Sequence, residues 1–271
     1  MNRIDVRFAE LTGKGRTGLI PFVTGGDPLP DAMVDLMHAL VAAGADLIEL
    51  GVPFSDPMAD GPSIQHASER ALLKGIGLKQ VFGWVREFRA GDGDTPVVLM
   101  GYMNPVEIHG AERFARDALD AGVDGVLLVD CPIEESEAVA VLRNAGLRQI
   151  LLAAPTTSDE RLARIGEAAQ GFLYYVSFAG ITGAQRLRTD DVRVRVEAIK
   201  QRAKVPVAVG FGVRDAATAA AIGEFADAVV IGSALVDCLA GADDANEVCV
   251  RAQAFLAPIR DALDAHAGHE R

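Results

Sequence analysis

Cysteine is scarce: Cys131, Cys238 and Cys249 are an odd total with no CxxC pair. That excludes the disulfide framework of small secreted domains and makes reduced thiols the expectation. The five histidines (His38, His66, His109, His266 and His269) show neither HxxxH nor HxH spacing, so no metal site is expected. No apolar run approaches the ~20 residues needed to span a bilayer. The opening MNRIDVRFAE mixes charge throughout and lacks the apolar segment of a secretory signal. Basic charge is also short, with 26 Lys and Arg against 38 Asp and Glu and a net charge of −12. Nucleic acid and anionic membranes are therefore not expected as partners, and the cytoplasm is the expected location. A phosphorylated substrate stays open, because backbone N–H groups bind phosphate without a basic side chain.

What is present is regular hydrophobic patterning over 271 residues, half of them apolar and 24% charged. That supplies a sizeable core and suits one domain spanning residues 1–271. Short apolar runs predict strands at Leu19–Val23, Leu47–Leu50, Val97–Met100, Gly125–Val129, Ile150–Leu152, Phe172–Val176, Val205–Val209 and Ala228–Ile231. Several are apolar on consecutive positions, as in parallel strands covered on both faces. Helical spacing fills the intervals, at Asp31–Ala43, Ala111–Ala121 and Glu134–Ala145 among others, each ending at a glycine. The passages AGADLIEL, AGVDGVLL and AGLRQILL repeat weakly and mark one recurring β–α unit.

Eight such units predict a closed (β/α)8 barrel of the TIM type. An open doubly wound sheet would normally carry a GxGxxG turn after its first strand, and none follows Val23. Two features exceed the minimum. Asn2–Leu11 reads as an added N-terminal helix with Ile4, Phe8 and Leu11 on one face, placed to lid the closed end of the barrel. The connections Gly51–Pro62 and Ser177–Thr189 are extended βα loops, the kind that lie at the C-terminal mouth where barrel enzymes place their chemistry.

Glu49 stands near the end of the second strand, in Asp46-Leu47-Ile48-Glu49-Leu50-Gly51. A carboxylate there is costly unless paired or functional. Alternation puts Leu47 and Glu49 on one face, so Glu49 points into the barrel if Ile48 and Leu50 meet the helices. A structural carboxylate holding a neighbouring loop is the alternative. Asp60 follows eleven residues later in a loop stiffened by Pro53, Pro57 and Pro62. In Asp60-Gly61-Pro62-Ser63 it also fits a helix entry, where it would serve as a turn or N-cap residue. A buried Glu beside a loop Asp is one way to hold a general acid and a general base in one site.

Glycine placement carries the second signal. Gly210-Phe211-Gly212 follows the seventh strand and Gly232-Ser233 the eighth, the usual place for phosphate in such barrels. Tight turns with nothing bound are the alternative. Gly180-Ile181-Thr182-Gly183, in the loop after strand six, suits a hinge and latch, with a flexible surface loop as the alternative.

These segments together resemble the tryptophan synthase α family. The resemblance rests on Pro21-Phe22-Val23-Thr24, Gly26-Asp27-Pro28, the run from Glu49 to Pro57, Ala59-Asp60-Gly61-Pro62, Tyr102, Asn104-Pro105, Gly180, Thr182-Gly183, Gly210-Phe211-Gly212 and Gly232-Ser233. Gly25, Gly101, Met103, Cys131, Phe178 and Ala179 depart from residues that some members carry. The resemblance implies a lyase that splits indole-3-glycerol phosphate into indole and glyceraldehyde 3-phosphate. Glu49 would be the acid/base and Asp60 the carboxylate serving the indole N–H. Phe22, Ile64, Met100, Leu127 and Phe211 would form the indole slot, with Tyr174 and Thr182 beside the substrate. Gly183, Phe211, Gly212, Gly232 and Ser233 would hold the phosphate. It further implies an α2β2 complex whose β subunit carries pyridoxal phosphate, no cofactor in this chain, and a partner face that includes Pro53, Asp56 and Pro132. No lysine lies in a predicted strand, which disfavours a Schiff-base aldolase. A stand-alone indole-releasing lyase and a silent activator of a partner remain the alternatives.

Overall fold

A computed structural model describes residues 1–176, 189–210 and 212–265. Eight parallel strands close into a barrel in chain order. They are β1 (Gly18–Thr24), β2 (Ile48–Gly51), β3 (Val97–Gly101), β4 (Gly125–Leu128), β5 (Arg148–Ala153), β6 (Leu173–Val176), β7 (Val207–Gly210) and β8 (Ala228–Ile231). Around them lie α1 (Arg3–Gly13), α2 (Met33–Ala42), α3 (Pro62–Leu73), α4 (Leu78–Gly91), α5 (Met103–His109), α6 (Ala111–Ala121), α7 (Ala140–Ala145) and α8 (Asp159–Ala168). They continue with α9 (Thr189–Lys200), α10 (Ala216–Gly223), α11 (Ser233–Leu239) and α12 (Ala245–Ala265).

The run of buried residues on every strand has two destinations. Ile48, Leu50, Leu99, Val126 and Leu151 face outward into one large core with the helices. Ile20, Leu47, Val98, Leu127, Ile150 and Phe172 fill the barrel interior. α1 continues that interior downward: Ile4, Phe8 and Leu11 are buried beneath the strands, and the Phe8 and Phe172 rings lie 5.5 Å apart. Asn2 caps this helix by accepting the Ile4 N–H at 2.9 Å, so the expected lid on the closed end is present.

The closed end is also tied by a repeated polar device. Asp46, Asp124 and Asp227 accept the N–H groups of Leu19, Val97 and Val207 at 2.8–2.9 Å, satisfying a donor at the foot of β1, β3 and β7. Each carboxylate meets a cation: Arg260 at 3.0 Å, Arg89 at 2.8 Å and Lys200 at 2.7 Å. These groups are spent on structure, which leaves the opposite end for chemistry.

Several boundaries differ from expectation, among them the start of β5 at Arg148 rather than Ile150. The stretch expected as one helix from Glu134 to Ala145 begins as a tighter 3-10 segment, Ile133–Val139, before α7. Its Glu134 is held at 3.0 Å by Arg161 of α8. The second helix begins with a 3-10 turn at Pro30–Ala32. β7 starts at Val207 rather than Val205, because Pro206 has no N–H to give to the ladder. Gly122 and Gly146, at φ +92° and +114°, end α6 and α7 in the left-handed conformation that disfavours a side chain.

Candidate active site

Parallel registration brings the chemistry-bearing positions to one level at the C-terminal end of the strands. Phe22 lies opposite Glu49, Glu49 opposite Val98, and Met100 opposite both Gly51 and Leu127. Ile48 and Leu50 pack outward and Glu49 points inward, as the alternation requires. Glycine makes room for the aromatic walls: a Cβ on Gly51 would lie 2.6 Å from Phe22 Cζ, and one on Gly210 would lie 2.8 Å from Tyr174 Cζ.

Two cavities of about 360 and 380 Å³ meet around Ile64, Met100 and Tyr174. The first is lined by Phe22, Glu49, Gly212, Gly232 and Ser233, and the second by Asp60, Leu127, Val129, Cys131 and Pro132. One end is therefore rich in glycine turns, the other is apolar, and a carboxyl group stands on each side of the junction. Leu235 and Val236 N–H both bond the Gly232 carbonyl, which leaves the Ser233 and Ala234 N–H groups ahead of the first intrahelical bonds of α11.

The carboxyl groups differ in environment. Glu49 is 1% exposed, and its Oε1 has no hydrogen-bond partner among the described residues. Burial, reinforced by the nearby Asp60 charge, pushes it up to about 8. Asp60 is half-buried. Burial raises it to about 6, while a hydrogen bond from the Tyr102 hydroxyl opposes that rise. The same hydroxyl accepts the Ala59 N–H at 3.1 Å, and Gln65 donates to the Asp60 carbonyl at 2.8 Å, so the loop before α3 is anchored from two sides. Gly61, not Asp60, is the N-cap of α3, which removes the helix-entry reading of this aspartate. At neutral pH the site thus pairs a protonated Glu49 with an ionised Asp60. The Tyr174 hydroxyl is held well above its usual range by burial and by both carboxylates.

A model of the tryptophan synthase alpha chain family matches residues 8–264. The chain belongs to this family. The tryptophan synthase alpha chain of Xanthomonas oryzae pv. oryzae (strain MAFF 311018) is 60% identical over 266 residues, covering 97% of this chain and 99% of that one. The alpha chain of Xylella fastidiosa (strain M12) is 58% identical, with 98% and 99% covered. Among solved structures, tryptophan synthase subunit alpha from Legionella pneumophila str. Paris superposes with a TM-score of 0.90 at 44% identity, covering 98% of this chain and 99% of that one. Membership gives the chain the alpha-subunit role in tryptophan biosynthesis, the lyase reaction on indole-3-glycerol phosphate.

Of the residues expected in the site, Glu49, Asp60, Phe22, Ile64, Met100, Leu127, Tyr174, Gly212, Gly232 and Ser233 line the joined cavity. Thr182, Gly183 and Phe211 lie outside the described residues, as does the loop 177–188. Tyr174 faces the cavity, whereas its neighbour Tyr175 is buried in the outer core. Asp56 and Pro132 are exposed near the mouth. Pro53 is buried, so it shapes the loop from beneath rather than offering surface to a partner.

Tyr102, Thr24 and Arg214 are not among the residues expected in the site from sequence. Tyr102 positions Asp60, and Arg214 lines the first cavity. Thr24 Oγ1 is buried without a partner among the described residues, beside a hollow of about 10 Å³ shared with Ser68, Asp60 and Tyr102. That space suits a single bridging water. Arg214 stands two residues after a glycine already assigned to phosphate, a proximity that could have drawn attention to it.

Proposed function

We propose that Glu49 and Asp60 divide the acid–base work of cleaving indole-3-glycerol phosphate. The opposite protonation of two carboxyl groups across one cavity supports this division. The indole ring occupies the apolar end, bounded by Leu127, Met100 and Ile64 with Phe22 just across the junction, and the phosphate lies against Gly212, Gly232 and Ser233. Protonated Glu49 delivers its proton to indole C3 while the Asp60 carboxylate takes the ring N–H proton. The resulting indolenine accepts the bonding pair. The Glu49 carboxylate then removes the glycerol hydroxyl proton, the carbon–carbon bond breaks, and the electrons return to the ring as Asp60 restores the N–H. Indole and an aldehyde leave, and Glu49 is protonated again. No protein amine is needed, because the ring itself is the electron sink.

The chain forms an α2β2 complex with a tryptophan synthase β subunit in the cytoplasm, carries no cofactor, and passes indole to the pyridoxal phosphate of that partner. No helix among the described residues is long and apolar enough to cross a membrane. Exposed Asp56 and Pro132 belong to the partner face, and Thr182, Gly183 and Phe211 complete the substrate and phosphate contacts.

The test is indole release by the purified chain, with and without β. Slow release that rises sharply with β supports the reading. Fast release indifferent to β points to a stand-alone lyase, and unchanged turnover in Glu49→Gln refutes the role of Glu49.

A further inference from the structure

We propose that Arg214 makes a direct charge contact with the substrate's phosphate, adding steering and dianion recognition to the backbone N–H groups. This rests on the reading of Gly212, Gly232 and Ser233 as the phosphate end. Arg214 lines the same cavity as those three residues, and it is the only cation among the described residues that do so. Two acidic residues share that lining, Glu49 and Asp237. Buried Glu49 is neutral near pH 7, whereas Asp237, which accepts the Ser63 hydroxyl at 2.9 Å, adds a negative charge beside the anion's seat. The whole chain carries −12. A phosphate dianion entering this end therefore meets a repulsive field, and one guanidinium at the cavity wall is placed to offset it locally.

The loop around Arg214 holds its backbone and, among the described residues, leaves its head group only a long approach to Asp215. The Arg214 N–H donates to Thr218 Oγ1 at 3.3 Å. Asp215 caps α10, taking the Thr218 N–H at 2.8 Å and its hydroxyl at 2.7 Å. That engagement makes Asp215 a weak competitor for the guanidinium, which approaches it no closer than 4.0 Å. The Arg214 side chain is 62% exposed, so it can turn toward the phosphate without leaving a buried partner unpaired. A planar guanidinium matches two phosphate oxygens at once, a geometry that lysine does not reproduce.

Steady-state kinetics with indole-3-glycerol phosphate, at low salt and at about 0.3 M salt, test this in the α–β complex. The chains compared are the unaltered one, Arg214→Gln, Arg214→Lys and Ser233→Asp. Arg214→Gln is expected to raise KM roughly three- to fivefold at low salt, as for an exposed charge pair, with kcat moving far less. Its KM also loses most of its salt dependence, and Arg214→Lys recovers part of both. Ser233→Asp, which puts a carboxylate in the phosphate seat, raises KM more than about tenfold. If Ser233→Asp raises KM while Arg214→Gln changes neither KM nor its salt slope, the role of Arg214 is overturned and the phosphate end stands. If Ser233→Asp leaves KM unchanged, the phosphate end itself is misplaced and the inference falls with it. An Arg214→Gln defect confined to kcat also overturns the proposal, since an anion contact of this kind acts on binding.

Discussion

Replacing Glu49 by Gln is expected to lower activity and raise stability together, with the second effect set by pH. A glutamate in the unfolded chain titrates near 4.5, whereas the folded barrel pushes Glu49 up to about 8. Between those values the folded state holds a proton that the unfolded state has released. Stability from this group is therefore complete below pH 4.5 and is lost as pH rises toward 8, at about 1.4 kcal/mol per unit. By pH 7 the loss reaches about 3 kcal/mol. Glutamine matches the neutral carboxyl in shape and polarity and takes up no proton, so the variant avoids that loss. Melting curves of both chains should coincide within a degree or two near pH 5 and separate by roughly 5–10 °C at pH 7. Indole formation should meanwhile fall ~10²–10⁴-fold, the usual effect of losing one positioned acid–base group. A melting difference that does not change with pH, or a variant less stable at pH 7 than at pH 5 relative to its parent, would refute the protonation state assigned to Glu49.

Other outcomes follow from the same geometry. The kcat/KM profile of the unaltered chain should be bell-shaped, falling below about pH 6 as Asp60 takes a proton and above about pH 8 as Glu49 loses one. In Asp60→Asn, residual turnover should lack the acid limb, and the alkaline limb should move downward because the charge that raises Glu49 is gone; pH–rate measurements check both. Gly51→Ala drives a methyl into the Phe22 ring and should cost about 1–3 kcal/mol of stability together with a higher KM, read by denaturation and initial rates. Arg260→Met leaves Asp46 buried with weaker partners, Arg16 at 3.4 Å and Arg7 at 3.8 Å. It should destabilise the barrel by about 3 kcal/mol while kcat at low temperature stays within twofold.

The barrel was readable because each strand is buried on two sides and each helix on one. A short continuous apolar run and a longer periodic stretch are then local properties of the chain. Glu49 was readable for the same reason, since a charged residue breaks an apolar run and the two-residue repeat gives its face. The 3-10 segment at Ile133–Val139 was not readable. Its Glu134 is engaged by Arg161, 27 residues further on, and local helical spacing says nothing of that contact.

Asp60 marks the limit more sharply. Its local pattern served a helix cap as well as a catalytic role, and the structure removes the first by making Gly61 the cap and brings Tyr102, just past β3, to the Asp60 carboxylate. The opposite protonation of Glu49 and Asp60 has the same origin. Ionisation depends on the distance to water and to other charges, and residues far apart in the chain set both. The sequence by itself determined the strand count, the shared face of Leu47 and Glu49 on β2 and the glycine turns after β7 and β8, because these follow from near-neighbour sterics and burial periodicity. Only the tertiary structure decided which carboxyl is neutral and which is charged, and which arginine lines the cavity beside Gly212, Gly232 and Ser233, because closing the barrel removes solvent and brings distant groups together.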